Sequence, residues 1–593
     1  MRPTAALALH TPLIPPALRP AVATTAVLAA AAPSLLAYNL SPSPTFLNQA
    51  LALALWGAFV ALAPAARPGR GAWAVLAALG VMTGAVLWSW GPGGLPASLA
   101  LSALGLIAAA AVMVAAGAGA RNSASAEDVF ALFCLGWLVA GVLNAGVAVM
   151  QVFAPALPDG DWIASSSIPG RAVGNLRQPN HLSSLLLWAG IAVVALAELR
   201  RIGPRLATVL LGLMVFGVVL TASRTGLVSV VLLALWGLAD RRLGRHTRWL
   251  LLAAPVAYAA AWWGMAQWAA ASSHSFGGAA RLAESDISGS RFGIWANTLT
   301  LIRAQPWAGV GWGEFNFAWS LTPFPGRPTA FFDHTHNLAL QLAVELGLPL
   351  ATLVLALLLW GLWCAARTAW ATAGGAGAAQ RCALVMVVMI GLHSLLEYPL
   401  WYAYFLLPAA WAWGFALGEP GRAPGRSRWL GLAGLSMAAV ATFSVWDYQR
   451  VAVIFAAPDD APPLAQRIAT GQHSVFFAHH ADYAAVTSTP PPSSDTTAFD
   501  RATHYLLDTR LMTAWSRHLA ARGELDAARH MAARLREFGR AEAGEFFTSC
   551  PNDAATPAAP TPSAPGTFAA AASPPFQCEL PVGAPGWRAF LPR

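Results

Sequence analysis

Hydrophobic runs of about 20 residues, each long enough to cross a ~30 Å hydrocarbon core, recur in this chain from about residue 21 to about residue 446. No other feature narrows the fold as far. Hydrophobic residues make up 57% of the 593 and charged residues only 11%, against roughly a quarter charged in soluble domains. The fold class is therefore an all-α polytopic membrane protein. Spans read near 21–40, 47–65, 72–90, 97–117, 128–153, 181–199, 205–222, 226–239, 249–270, 337–363, 382–397, 401–417 and 429–446, about thirteen transmembrane helices. The first run is not followed by a small-residue cleavage site and a soluble domain, so it reads as a retained span.

The formal net charge of +9 comes from arginine alone, because the chain holds no lysine. In a membrane protein this excess sets orientation, and it gives no ground for a nucleic-acid partner. Alternate short loops collect the arginines: 67 and 70, 121, 200, 201 and 205, 241, 242, 245 and 248, 367 and 381, 422, 426 and 428. Those loops are expected to be cytoplasmic. With the N-terminus inside and an odd number of spans, the other loops fall outside, including Pro155 to Asn180, Ser223 to Thr225, the large loop at about 271–336, the Glu397 to Trp401 turn, and the tail 447–593.

Domain organisation follows as a membrane domain over 1–446 and an outer, mostly helical C-terminal region over 447–593. Within the tail, residues of about 498–546 carry a Gly-turned, small-residue pattern like one tetratricopeptide helix pair. Residues 551–575 are Ala/Pro/Ser/Thr-rich and read as extended and flexible. Cys134, Cys364 and Cys382 lie in or beside apolar spans and read as packed thiols. Cys550 and Cys578 form a possible disulfide if the tail lies in an oxidising compartment.

Six polar clusters sit on the outer side. In Arg177-Gln178-Pro179-Asn180-His181, proline ends the loop and Asn180 is placed to cap the next helix, leaving Arg177, Gln178 and His181 at the interface. The alternative is a plain cap with a snorkelling arginine. Arg224, in Ser223-Arg-Thr-Gly226, is squeezed between two spans, where an arginine needs a cavity, a carboxylate, a bound anion or lipid phosphate. Arg291 precedes a stretch from Ile294 to Ala304 expected to lie along the membrane surface; its donor fork suits a diphosphate, although a loop arginine is often only solvated.

His334-Thr-His336-Asn337, with Asp333 beside it, packs two imidazoles against the start of an apolar helix. It admits three readings: general base or orienter of a hydroxyl, helix capping and packing, and a zinc site that lacks further Cys or His ligands. Asp159 and Asp161 can hold a divalent ion or simply make a turn. His393, Glu397, Tyr398 and Trp401 are either a paired carboxylate with an interfacial aromatic belt or the lining of a sugar or polyprenyl groove.

In combination, Arg-Gln-Pro-Asn-His at 177–181, Ser-Arg-Thr-Gly at 223–226, Arg291 ahead of Trp295, Gly309-Val-Gly-Trp-Gly313, His-Thr-His-Asn at 334–337 with Glu345-Leu-Gly-Leu-Pro349, and His393-Ser-Leu-Leu-Glu-Tyr-Pro-Leu-Trp-Tyr402 resemble the O-antigen ligase and polymerase superfamily. Within it they are most similar to the PglL-type bacterial protein O-oligosaccharyltransferases. The resemblance covers about residues 160–420. It implies a multi-pass protein of the bacterial inner membrane with a periplasmic active site. It further implies en bloc, inverting transfer of an oligosaccharide from undecaprenyl diphosphate to Ser or Thr of pilin or another periplasmic protein, with membrane lipid as surroundings and without metal or cofactor. It assigns His336 as base or orienter and Arg224 and Arg291 to the diphosphate. Arg177, Gln178, Asn180, His181, His334, Asn337, His393, Glu397, Tyr398 and Trp401 are the expected donor- and acceptor-binding residues. The same motifs fit a lipid A core ligase or an O-antigen polymerase. A polyprenyl-sugar flippase fits less well, since the polar residues gather at the outer rim rather than at mid-membrane.

Overall fold

The computed structural model describes residues 19–278, 289–419, 421, 426–488, 496–539, 541–550, 574–583 and 585–591. The Ala/Pro/Ser/Thr-rich stretch expected at 551–575 lies outside them except for its last two residues. Among the described residues the regular structure is helical, with no strand. Nine of these helices are long and apolar enough to cross a membrane, and the apolar helices Phe46–Leu62, Arg224–Ala239 and Ala403–Leu417 are shorter. The chain is a polytopic all-α membrane protein. It divides into two compact units, each described here by itself.

The first unit holds the described residues of Met1–Thr83, Leu104–Ser285 and Leu353–Trp446. Its helices are α1 (Arg19–Leu35), α2 (Phe46–Leu62), most of α3 (Trp73–Trp90) and α4 (Ala97–Arg121), α5 (Ala126–Phe153), α6 (Pro179–Glu198), α7 (Pro204–Thr221), α8 (Arg224–Ala239) and α9 (Arg245–Ala271). After these come the later turns of α12 (Leu338–Ala371), then α13 (Gly374–Ser394), α14 (Ala403–Leu417) and the first turns of α15 (Arg428–Phe455). Every residue of α6 from Pro179 to Leu196 is buried, as expected of a helix that is apolar on all sides and packed within a bundle. It lies against α5, α7, α8 and α13. Where lipid supplies no hydrophobic drive between helices, small residues let backbones approach. Thus a Cβ on Gly57 would meet the Gly434 carbonyl at 2.6 Å, and one on Gly434 would meet that of Gly57 at 2.5 Å. The arginine-rich end is cross-linked by the buried Arg381–Asp240 ion pair, 2.6 Å.

The second unit holds the described residues of Gly84–Ala103, Asp286–Thr352 and Asp447–Arg593. It contains α10 (Gly289–Ala304), α11 (Phe315–Leu321), the first turns of α12, and the tail helices α16 (Leu464–Gly471), α17 (Ala478–Thr487), α18 (Thr496–Ala502), α19 (Thr509–Ala521), α20 (Leu525–Phe538) and α21 (Gly544–Phe547). Asp508 caps α19 by accepting the Leu511 N–H, 2.9 Å, and Gly523, at φ +80°, turns the chain into α20. The core joins Ile294, Leu301, Phe317 and Trp319 to Leu511, Met512, Leu535 and Phe538. The sequence places the Ile294–Ala304 stretch along the membrane surface. The structure instead buries Ile294, Leu301 and Ile302 in this core, because the tail supplies a protein surface for that apolar stripe. A disulfide joins Cys550 and Cys578.

Helix α12 is broken at Gly347, φ +73° and ψ 164°, which divides the single span expected at 337–363. The break leaves carbonyls without helical donors. The segment from Pro306 to Gly311 supplies them and accepts one helix donor in return: Val310 N–H donates to Val344 O at 2.8 Å and Gly311 N–H to Glu345 O at 3.1 Å, while Leu348 N–H donates to Pro306 O at 2.7 Å. A Cβ on Gly347 would lie 2.4 Å from the Trp307 carbonyl, and one on Gly309 would lie 2.4 Å from that of Glu345.

Candidate functional site

The expected residues fall into two groups, one in each unit. In the first unit, loop 154–178 is tied down by buried amides. Gln151 accepts the N–H groups of Val173 and Gly174, both at 2.9 Å. Asn175 donates to Leu35 O at 2.6 Å and Trp162 O at 2.9 Å. This delivers Arg177, at φ +55°, to the start of α6, where its guanidinium donates to the Ala37 carbonyl.

The cap of α6 is Gln178 rather than Asn180. Its Oε1 accepts the N–H groups of Asn180 and of His181, the latter at 3.1 Å. A Gln side chain is long enough to fold back onto these orphan donors, and Asn180 is thereby released inward. Its Nδ2 donates to Glu397 Oε1 at 2.9 Å, and its Oδ1 accepts from Ser223 Oγ at 2.6 Å. Ser223 also caps α8 through the Gly226 N–H, 3.0 Å. One amide thus joins three sequence motifs. Arg224 follows this cap as the first residue of α8 and is exposed.

His181, expected at the interface, is buried. Its Nδ1 shares a hydrogen bond with Tyr404 OH at 3.2 Å, and its ring meets Tyr402 edge-on at 4.7 Å. His393, also buried, shares a 2.7 Å hydrogen bond with Ser184 Oγ. Glu397 lies past the end of α13, its N–H on the His393 carbonyl at 2.8 Å. Tyr398 packs on Trp401 and Tyr402, and Trp401 is 41% exposed. Sequence spacing points to neither Ser184 nor Tyr404, since each meets its partner from a distant helix.

In the second unit, the turn 331–337 lies outside regular structure, so its backbone groups need partners from elsewhere. Thr335 N–H donates to Gln341 Oε1 at 2.7 Å, and its carbonyl accepts Trp295 Nε1–H at 3.1 Å. The Phe332 carbonyl accepts from Asn316 Nδ2 at 3.0 Å. Asn337 caps α12 through the Leu340 N–H, 3.1 Å. His336 takes φ +55°, a conformation that histidine adopts more readily than most side chains. Its half-buried ring lies 4.5 Å from that of buried His334 and 5.6 Å from Phe332. His334 Nδ1 bonds the Asp333 carboxylate. Desolvation raises the Asp333 carboxyl, but the hydrogen bond and charge of His334 outweigh it and hold it below its ordinary value. Arg291 stands one turn before Trp295 on α10 and therefore on the same face.

This arrangement offers an acid–imidazole pair beside a second, more accessible imidazole, which suits proton acceptance from a hydroxyl. Asp159 makes a turn: its Oδ1 accepts the N–H groups of Asp161, Trp162 and Ile163 at 2.8 to 3.2 Å. Among the described residues, no group of three or more His, Cys, Asp or Glu side chains is placed to hold a metal ion.

Residues 209–355 match the O-antigen ligase family. Residues 382–545 match the family described as virulence factor membrane-bound polymerase, C-terminal, and 172–197 match that of the protein glycosylation ligase. Two curated relatives come from Acinetobacter baylyi. A general O-oligosaccharyltransferase is 26% identical over 325 residues, 50% of this chain and 52% of the relative. A ComP-specific O-oligosaccharyltransferase is 26% identical over 288 residues, 46% and 47% respectively. The match thus spans about half the length of each relative. These segments contain both groups of polar residues, and by them the chain is similar to the O-antigen ligase family and to protein O-oligosaccharyltransferases.

Proposed function

We propose that this chain is a metal-independent, inverting glycosyltransferase of the bacterial inner membrane. It moves an oligosaccharide en bloc from undecaprenyl diphosphate to a Ser or Thr hydroxyl of a periplasmic protein such as pilin. The observation that carries this reading is the 331–337 turn, which presents an accessible imidazole beside a carboxylate-paired one within the segment matching the O-antigen ligase family. The protein-glycosylating acceptor is favoured by the match at 172–197 and by the two relatives.

In this mechanism the acceptor hydroxyl oxygen attacks the anomeric carbon while His336 takes its proton, a contribution on the order of 10² to 10⁴ in rate. The bond from that carbon to the diphosphate oxygen breaks, and undecaprenyl diphosphate leaves with increased negative charge. Arg224 and Arg291 serve that charge. Both stand in the first turn of a helix, where the backbone N–H groups favour an anion. Arg177, Gln178, Asn180, His181, His334, Asn337, His393, Glu397, Tyr398 and Trp401 bind or shape the donor and acceptor surfaces. The tail disulfide fits an oxidising, periplasmic location.

His336→Ala, in protein that still inserts, is expected to abolish glycan transfer to periplasmic proteins in cells. Near-normal glycosylation would refute the base assignment. The O-antigen ligase and polymerase matches favour a second reading, transfer to lipid A core or to a growing O-antigen. Intact-mass measurement of periplasmic proteins, alongside lipopolysaccharide profiles from a deletion strain, separates the two.

A further inference from the structure

We infer that Asn316 is a positioning residue for His336 and that it couples the histidine turn to the tail segment around Leu507; this rests on the reading of His336 as the acceptor-activating group. Asn316 is buried in the first turn of α11. It makes two hydrogen bonds in opposite directions. Its Oδ1 accepts the Leu507 N–H at 2.7 Å, and its Nδ2 donates to the Phe332 carbonyl at 3.0 Å. Phe332 lies one residue before Asp333, and its ring stands against the His336 imidazole. A shift of Asn316 therefore moves both the backbone that carries the acid–imidazole pair and one wall of the His336 ring.

The neighbouring contacts make the coupling stiff. Two residues before Asn316, buried Glu314 shares a 2.5 Å hydrogen bond with His504 Nδ1, so the tail is pinned on both sides of Tyr505. Phe331, next to Phe332, stacks on Phe538 of α20 at 3.9 Å. The polar side chain between the tail backbone and the Phe332 backbone is Asn316. Loss of its amide donor lets the turn relax while the apolar packing on either side remains. Misplacement of a reacting group by about 1 Å can cost on the order of 100-fold in rate.

The test uses purified full-length protein, undecaprenyl diphosphate carrying a defined oligosaccharide, and a fluorescent Ser-containing acceptor peptide. Asn316→Asp keeps the acceptor for Leu507 and turns an oxygen toward the Phe332 carbonyl. We expect kcat to fall by about 10- to 100-fold, with KM for the peptide within about twofold. In the residual transfer that purified His336→Ala protein retains, the same substitution should cause no further loss, because its effect runs through that imidazole. If Asn316→Asp does not give monodisperse protein with a cooperative melt, Asn316→Ser, which is too short to span both partners, carries the same expectations. An unchanged kcat, or an equal additional loss in the His336→Ala background, overturns the inference. If His336→Ala alone loses transfer while the Asn316 variants keep it, only this inference falls. If His336→Ala keeps normal transfer, the reading of the turn falls and takes the inference with it.

Discussion

At the scale of single residues, the acid–imidazole pair at the histidine turn and the buried amide at Asn180 lead to opposite kinds of prediction. The Asp333 side chain is 61% exposed, so Asp333→Asn is expected to leave the fold intact. It removes the charge that holds His334, and transfer should drop by about tenfold, less than for loss of a base. A rate equal to wild type would show that the carboxylate is a bystander. Asn180→Leu should act on folding instead. It leaves buried Glu397 and Ser223 each short of a partner, at about 1–3 kcal/mol apiece, seen as a lower melting temperature in detergent. The histidines and arginines stand out in the sequence as candidates because each residue type carries its chemistry with it. Asn180 reads as a cap from local spacing, whereas its partner Glu397 is 217 positions away, a contact of which local spacing contains no trace.

Among the elements, each span expected from the sequence falls on a helix, since burial in lipid demands long apolar runs and those can be counted. The break in α12 is a different matter. Gly-Leu-Pro within a hydrophobic run is compatible with a continuous span, and the segment after Pro306 that satisfies the broken helix comes from elsewhere in the chain. Gly347→Ala puts a Cβ 2.4 Å from the Trp307 carbonyl at φ +73°, and a loss of about 2–4 kcal/mol is expected. The second unit should also respond to pH from both sides. Burial pushes the His480 imidazole down to about 4, so the unfolded chain binds more protons between pH 6.5 and 4. Stability then falls as pH drops through that window, by of order 3 kcal/mol. For His504, burial acts downward, but the charge and hydrogen bond of Glu314 outweigh it and raise the group. That contribution is fully present below the ordinary histidine value and is lost as pH rises through the raised one. Melting temperature against pH should be bell-shaped, and Glu314→Gln should flatten its alkaline side. An alkaline side unchanged by Glu314→Gln would mean that another group sets it.

For the whole molecule, the arginine-only basic balance implies a topology, because a bilayer sorts charges by side. The packing of residues 289–352 with the tail has no such signal, since the shared core of Phe317, Trp319, Leu511 and Phe538 is assembled from segments about two hundred positions apart. The disulfide tests the topology directly. Cys550 and Cys578 are bonded, while Cys134, Cys364 and Cys382 are free thiols. If the tail is outside, a membrane-impermeant maleimide added to intact cells should label nothing until a reductant is supplied, and should then label Cys550 and Cys578. Labelling of those two without reductant would show that the bond does not form in the cell, and failure to label after reduction would place the tail inside. Closing 28 residues of separation stabilises the folded tail by about 3–4 kcal/mol on the chain-entropy account. Cys550→Ser should therefore lower the melting temperature of the purified protein to that of the wild type in reductant. A variant that still shifts further when reductant is added would point to a second redox-sensitive contact.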